Sequence, residues 1–168
     1  LFLIINNKNI IEVEKKLNNL KYIDLFAGIG GFRLALDSFG AECVFTSEWD
    51  KFASAVYEDN FDDKVHGDIT QIFAEDIPNH DILCGGFPCQ PFSISGKREG
   101  FKDVRGTLFF DIARIAEHHQ PKVLILENVR NIISIDNGNV VRTIKEILSE
   151  LNYNIFIEII NADRFAVP

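Results

Sequence analysis

"KYIDLFAGIGGFRLALDSFG", residues 21–40, reads as a strand, a turn and a helix in immediate succession. Residues 22–26 make the strand and Gly28-Ile29-Gly30-Gly31 the turn. Phe32, Leu34, Leu36 and Phe39 give the helix an apolar face that stops at Gly40.

The unit recurs along the chain. "AECVFTSEW" (41–49) is a strand, and Asp50 is an N-cap for "KFASAVYEDNF" (51–61). A short segment follows at "KVHGDI" (64–69), then the apolar strand "HDILCGG" (80–86). The helix "TLFFDIARIAEHH" (107–119) carries Leu108, Phe109, Ile112, Ile115 and Ala116 on one face. "KVLILENV" (122–129) is a further buried strand, "DNGN" (136–139) a turn, "VVRTIKEILSELN" (140–152) a helix and "YNIFIEII" (153–160) a strand. This alternation predicts an α/β fold, a doubly wound parallel sheet with helices on both faces. Residues 1–20 read as an N-terminal extension without visible function, with a short helical pattern in "IIEVEKKLNNL" (10–20). Residues 21–168 read as the domain.

Composition bounds the function. A chain of 168 residues holds one domain with a real core. No apolar run approaches the ~20 residues that span a bilayer, and "LFLII" lacks the basic start of a secretory signal, so a cytoplasmic setting is expected. The 3 cysteines form no CxxC pair, which predicts reduced thiols and no structural zinc. Cys43 and Cys84 lie inside apolar strands and read as core; His66, His80, His118 and His119 read as surface or loop residues. With 17 basic and 25 acidic residues the net charge is -8, so a DNA partner must meet a local basic surface or one outside this chain. A chain that has no methionine and stops at Pro168, directly after a strand pattern, reads as a piece of a longer protein.

In doubly wound sheets ligands bind outside the carboxyl ends of the strands, so the residues after each apolar run are the candidates. After the first come Phe26, Gly28 and Gly30, where the backbone passes close to a ligand at a helix N-terminus. The dinucleotide fingerprint fails, because its third glycine falls on Arg33. The second strand ends at Glu48, an acid placed for ribose hydroxyls, beside Trp49, whose indole suits an adenine ring. Asp68, next to Ile69, is placed to accept from an adenine amino group. Together these positions predict an adenosine-type cofactor.

The strand at 80–86 runs into "CGGFPCQPFS". Cys89 follows Pro88 outside the strand and faces three readings: nucleophile, metal ligand or core thiol. The first is favoured, since two prolines and two glycines keep the segment irregular and open to the cleft. A nucleophilic thiol needs an acid to activate its electrophile, and "KVLILENV" delivers Glu127 at the same sheet edge. A carboxyl ending an apolar strand is expected to be shielded from water, with a raised pKa suited to carrying a proton. "SISGKREGFKDVRG" (93–106), with Lys97, Arg98, Lys102 and Arg105, reads as a lid that meets phosphate while closing the cleft.

"DLFAGIGGFRLAL", "SEWD", "GDIT", "GGFPCQPFSISG" and "ENV", in that order, resemble the ordered motifs of bacterial DNA (cytosine-5)-methyltransferases over residues 21–168. "GTLFFDIARI" and "GAECVF" are similar in particular to the HhaI-type modification methylases, whose sites are GCGC. The resemblance implies a Rossmann-like methyltransferase fold and S-adenosylmethionine as cofactor. It implies that Cys89 attacks C6 of a cytosine flipped out of duplex DNA while Glu127 engages ring N3. Phe26, Gly28, Gly30, Glu48, Trp49, Asp68, Ile69, Gly86, Pro88 and Leu108 match cofactor-contacting positions. Gln90, Ser93, Ser95, Lys97, Arg98 and Arg105 match the closing catalytic loop that meets DNA. The implied role is protection of host DNA in a restriction-modification system, by an enzyme that is monomeric at full length and needs no metal.

Two departures are visible. Phe165-Ala166-Val167-Pro168 stands where the family has Tyr-Gly before Val/Ile-Pro. The chain also stops before the family's Gln- and Arg-rich strand motif, its target-recognition domain and its last cofactor segment, so the fold is expected to be incomplete at the C-terminus. Competing readings are a non-catalytic fragment or split subunit that binds cofactor or a complementary chain, and an RNA cytosine methyltransferase. A Rossmann dehydrogenase fails on Arg33 and leaves Cys89 and Glu127 without a role.

Overall fold

The computed structural model describes residues 2–6, 17–88 and 108–161. Six strands form one sheet: β1 (Phe2–Asn6), β2 (Lys21–Leu25), β3 (Glu42–Ser47), β4 (Ile82–Gly86), β5 (Val123–Glu127) and β6 (Tyr153–Ile157), in the order β3-β2-β4-β5-β1-β6. Four α-helices connect them: α1 (Gly31–Ser38), α2 (Lys51–Phe61), α3 (Phe109–His119) and α4 (Asn139–Glu150). β2, β3, β4 and β5 pair in parallel, as the strand-helix alternation predicts.

Helices cover both faces of β2 and β4, so β4 is a near-continuous apolar run and β2 buries Tyr22, Ile23 and Leu25. On one face Ile23, Leu25, Leu83, Leu124 and Leu126 pack against Ile112, Ile115 and Ala116 of α3 and Ile144 and Leu148 of α4. On the other, Tyr22, Ile82 and Cys84 pack against Leu36 of α1. Only that side of α1 is buried. Leu34 and Phe39, expected on its apolar face, are exposed, because the short helix turns Leu36 and, in part, Phe32 inward.

The sheet is not wholly parallel. β1 runs antiparallel between β5 and β6, so the segment set apart as an extension supplies an interior strand. The crossover from β5 through α4 to β6 skips one strand position. A strand carries hydrogen-bonding groups along both edges, and β1 satisfies the two edges that the skip leaves facing each other. Most of the helical pattern at 10–20 lies outside the described residues.

The caps follow the sequence. Asp50 Oδ1 accepts from the Phe52 and Ala53 N–H groups at 3.0 and 2.8 Å and starts α2. The "DNGN" turn takes left-handed backbone at Asp136, Asn137 and Gly138 ahead of α4. From β2 the chain moves outward to β3 and then returns past β2 to β4. The crevice at this reversal lies over the carboxyl ends of β2 and β4, the place where such sheets bind ligands.

Candidate active site

The glycine-rich turn after β2 has a backbone that few side chains tolerate. Phe26 has φ 56°, Gly28 56° and Gly30 98°. Holding a phenylalanine left-handed costs on the order of 1–3 kcal/mol, a cost met at functional turns. At Gly30 a Cβ would run into the Phe61 ring, which packs 4.7 Å from Tyr57 and 5.3 Å from the Arg33 guanidinium carbon. The turn is tied down by Gly30 N–H donating to the Ala27 carbonyl at 2.9 Å and Ala27 N–H donating to that of Ser47 at 3.2 Å.

Glu48 joins this turn to the end of β3. It is 8% exposed; Oε2 accepts from Gly28 N–H and Oε1 from Asp50 N–H, both at 2.9 Å. Each oxygen keeps a free lone pair for a ligand hydroxyl. Trp49 beside it is 76% exposed, its indole open. Asp68 caps a short 3-10 helix, Oδ1 accepting from Thr70 N–H at 2.9 Å, and Ile69 behind it is buried. Ser47 Oγ donates to the Gly67 carbonyl at 2.6 Å and holds this loop alongside the end of β3. Glu48→Ala strands two backbone donors, so a loss of about 2–4 kcal/mol in stability is expected, with Glu48→Gln losing about half as much. The check is the urea midpoint of each variant; an alanine variant within about 0.5 kcal/mol of the parent overturns the tie.

At the neighbouring strand ends Gly86 pairs with Glu127. A Cβ on Gly86 would lie 3.3 Å from Glu127 Oε2, so the glycine makes room for the carboxylate. Asn128 Nδ2 donates to the Phe87 carbonyl at 2.6 Å, fastening the end of β5 to the residue before Pro88. Phe87 is buried with its ring 5.7 Å from that of Phe109; Leu108, half-buried, caps α3. Glu127 itself is exposed, contrary to the shielding expected of it. β5 ends at this residue, and its partner Gly86 has no side chain with which to cover it.

Cys89, Gln90, Ser93, Ser95, Lys97, Arg98, Lys102 and Arg105 lie outside the described residues, as do residues 165–168. Cys84 is buried and Cys43 half-buried, both free thiols in strands, and burial pushes the Cys84 thiol well above its ordinary pKa. Among the described residues no group of three or more His, Cys, Asp or Glu is placed to hold a metal ion, and no helix is long and apolar enough to cross a membrane. His80 lies in the loop before β4, as read, but not at the surface. It is buried, donates from Nδ1 to the Pro78 carbonyl at 2.8 Å and packs 4.8 Å from the His119 ring; burial lowers its pKa to about 4.

Sequence reasoning passed over Asp24, which is fully buried in β2 with both oxygens unpartnered. Burial raises its pKa to about 7, with Arg33 lowering and Glu48 raising it. A raised carboxyl pKa binds a proton more tightly in the folded state. Its stabilising contribution is therefore complete below about pH 4 and is lost as pH rises through about 7. His80 acts oppositely, contributing above its unfolded pKa of about 6.5 and losing that contribution as pH falls toward about 4. Asp24→Asn isolates the carboxyl. Relative to the parent it is expected to gain about 2–3 kcal/mol between about pH 5 and about pH 8, measured by denaturant unfolding; a difference independent of pH refutes the assignment.

Residues 20–168 match the family model described as C-5 cytosine-specific DNA methylase. The chain belongs to this family. It is 57% identical over 159 residues to the type II methyltransferase M.HhaI of Haemophilus parahaemolyticus, covering 94% of this chain and 49% of that protein. It is 49% identical over 164 residues to M.BsuFI of Bacillus subtilis, covering 96% and 40%. The chain thus spans about half the length or less of these curated relatives. The crystal structure of S. pombe Dnmt2 methyltransferase superposes with a TM-score of 0.70 at 25% identity, covering 89% of this chain and 47% of that one. The family's fold, the Rossmann-like sheet of S-adenosylmethionine-dependent methyltransferases, agrees with the doubly wound architecture described above. The antiparallel β1 stands beside it as the feature the strand-helix alternation did not predict.

Proposed function

We propose that this chain is the catalytic part of an enzyme that transfers a methyl group from S-adenosylmethionine to C5 of cytosine in a specific duplex DNA site, within a bacterial restriction-modification system. The observation that carries the reading is the junction of β4 and β5. Gly86, Phe87 and Pro88 leave β4 beside Glu127, with Gly86 under the carboxylate and Asn128 bonded to Phe87.

The residues at the other strand ends fit the cofactor. Glu48 offers two free lone pairs to ribose hydroxyls, Trp49 an open indole to adenine, Asp68 an acceptor to its amino group, and the Gly28–Gly30 turn a bare backbone. Bound there, S-adenosylmethionine supplies an electrophilic methyl group. Cys89, as thiolate, adds to C6 of the flipped cytosine while Glu127 hydrogen-bonds or protonates N3, which makes C5 electron-rich. After C5 is methylated, loss of its proton restores the double bond and expels the Cys89 thiolate. Gln90, Ser93, Ser95, Lys97, Arg98 and Arg105 close over the site and meet the DNA backbone. The enzyme acts in the cytoplasm and, at full length, as a monomer.

The test incubates the full reading frame, and this chain alone, with S-adenosylmethionine and duplex DNA carrying 5-fluorocytosine in GCGC and in a varied-site library. Fluorine at C5 cannot leave as a proton, so a covalent protein-DNA adduct bearing the methyl group is expected. No adduct at any site from the full frame sinks the DNA reading, and adduct formation on a structured RNA instead redirects it. An adduct from this chain alone removes the reading of it as a non-catalytic fragment or split subunit.

A further inference from the structure

Beyond Glu127 the chain enters a 3-10 helix, Arg130–Ile133, whose Ile132 is buried in the core and fixes its position. Glu127, Arg130 and Glu158 line one cavity of about 300 Å3, walled by Ile133, Ile159 and Ile160. Arg130 also lines a second cavity of about 510 Å3, which shares Ile133 and Ile159 with the first. Its guanidinium is distinguished by what it lacks. Of the described arginines, Arg33 is bound by Asp37 and Asp63, Arg114 by Asp111 and the Ile69 carbonyl, and Arg142 by Asn139. Arg130 is exposed and makes no ion pair or hydrogen bond from its side chain among the described residues.

An arginine beside a pocket with no partner among the described residues, in a chain of net charge -8, calls for an anion. The anion is not on the cofactor. In the sheet order Gly28 and Glu48 stand at the ends of β2 and β3, whereas Arg130 follows β5 on the far side of β4. A flat base inserted toward Glu127 brings its own phosphodiester to the mouth of the cavity, and a guanidinium fork matches two phosphate oxygens. We infer that Arg130 anchors a backbone phosphate of the DNA strand whose cytosine Glu127 engages, as a binding residue outside the lid at 93–106. The inference rests on the DNA reading above and deepens it.

The test measures binding of the full reading frame to poly(dG-dC) duplex by fluorescence anisotropy over a series of KCl concentrations, for the parent, Arg130→Gln and Arg130→Lys. Each phosphate neutralised contributes about 0.9 to the slope of log K against log salt. Arg130→Gln is expected to bind about 5- to 20-fold more weakly at low salt with a slope shallower by about 1, while Arg130→Lys keeps the slope and recovers part of the affinity. Affinity for S-adenosylhomocysteine stays unchanged in both. A parent that binds and a glutamine variant with the parent's slope overturn the anchor alone, as does a matching loss of cofactor affinity. A parent that does not bind the duplex overturns the DNA reading and the anchor with it.

Discussion

Cys89→Ser is expected to abolish the 5-fluorocytosine adduct and to lower methyl transfer by at least about 1000-fold, with cofactor and duplex affinities within about twofold of the parent. The size follows from the nucleophile. A thiol with an ordinary pKa of about 8.5 offers some thiolate at neutral pH, and thiolate adds readily to an activated ring carbon. A serine hydroxyl needs a base to remove its proton at the moment of attack. Of the described groups at the ends of β4 and β5, Phe87 and Pro88 are apolar, Asn128 spends its amide on the Phe87 carbonyl, and the Glu127 carboxyl is committed to N3 of the cytosine rather than to a serine proton. A serine variant that turns over within about tenfold of the parent removes Cys89 from the chemistry. Intact binding keeps this outcome separate from misfolding.

The geometry of the strand ends was legible because its determinants are local. A glycine-rich turn after an apolar strand, an acid ending the next strand and an Asp N-cap each follow from backbone sterics and hydrogen-bond capacity, and Gly28, Glu48 and Asp50 meet as those rules suggest. What was not legible depends on partners distant in sequence. The four apolar residues at 2–5 carry no sign of which edge they join; the skipped position between β5 and β6 appears only once the crossover through α4 is placed. Glu127 looked shielded because apolar residues precede it, yet its exposure is set by Gly86, 41 positions earlier, which has nothing to cover it with. Arg130 carried a weak signal: one basic residue directly after "ENV" in an acidic chain. Asp24 carried none, since an aspartate in a strand pattern looks the same whether or not it finds a donor.

Glu127→Gln separates two roles the carboxyl has been given. Glutamine has nearly the same shape and still bonds through its amide, so the space above Gly86 and the pairing of β4 with β5 persist. It accepts and donates hydrogen bonds but hands over no proton. If Glu127 only holds the base, the variant keeps turnover within about tenfold of the parent; if it carries a proton to N3 as Cys89 adds, kcat falls by about 100- to 10000-fold. The second outcome is expected, because thiolate addition to C6 places negative charge on the ring that a neutral amide stabilises poorly. Exposure of Glu127 adds a condition. A water-exposed carboxyl is a weak partner for that charge, so the base must exclude water as it enters the cavity shared with Arg130. An abasic site in place of the target cytosine removes the base and so removes any binding difference between glutamine variant and parent, while normal duplex DNA retains it. A glutamine variant that turns over like the parent confines Glu127 to positioning and leaves activation of the ring to groups other than this carboxyl.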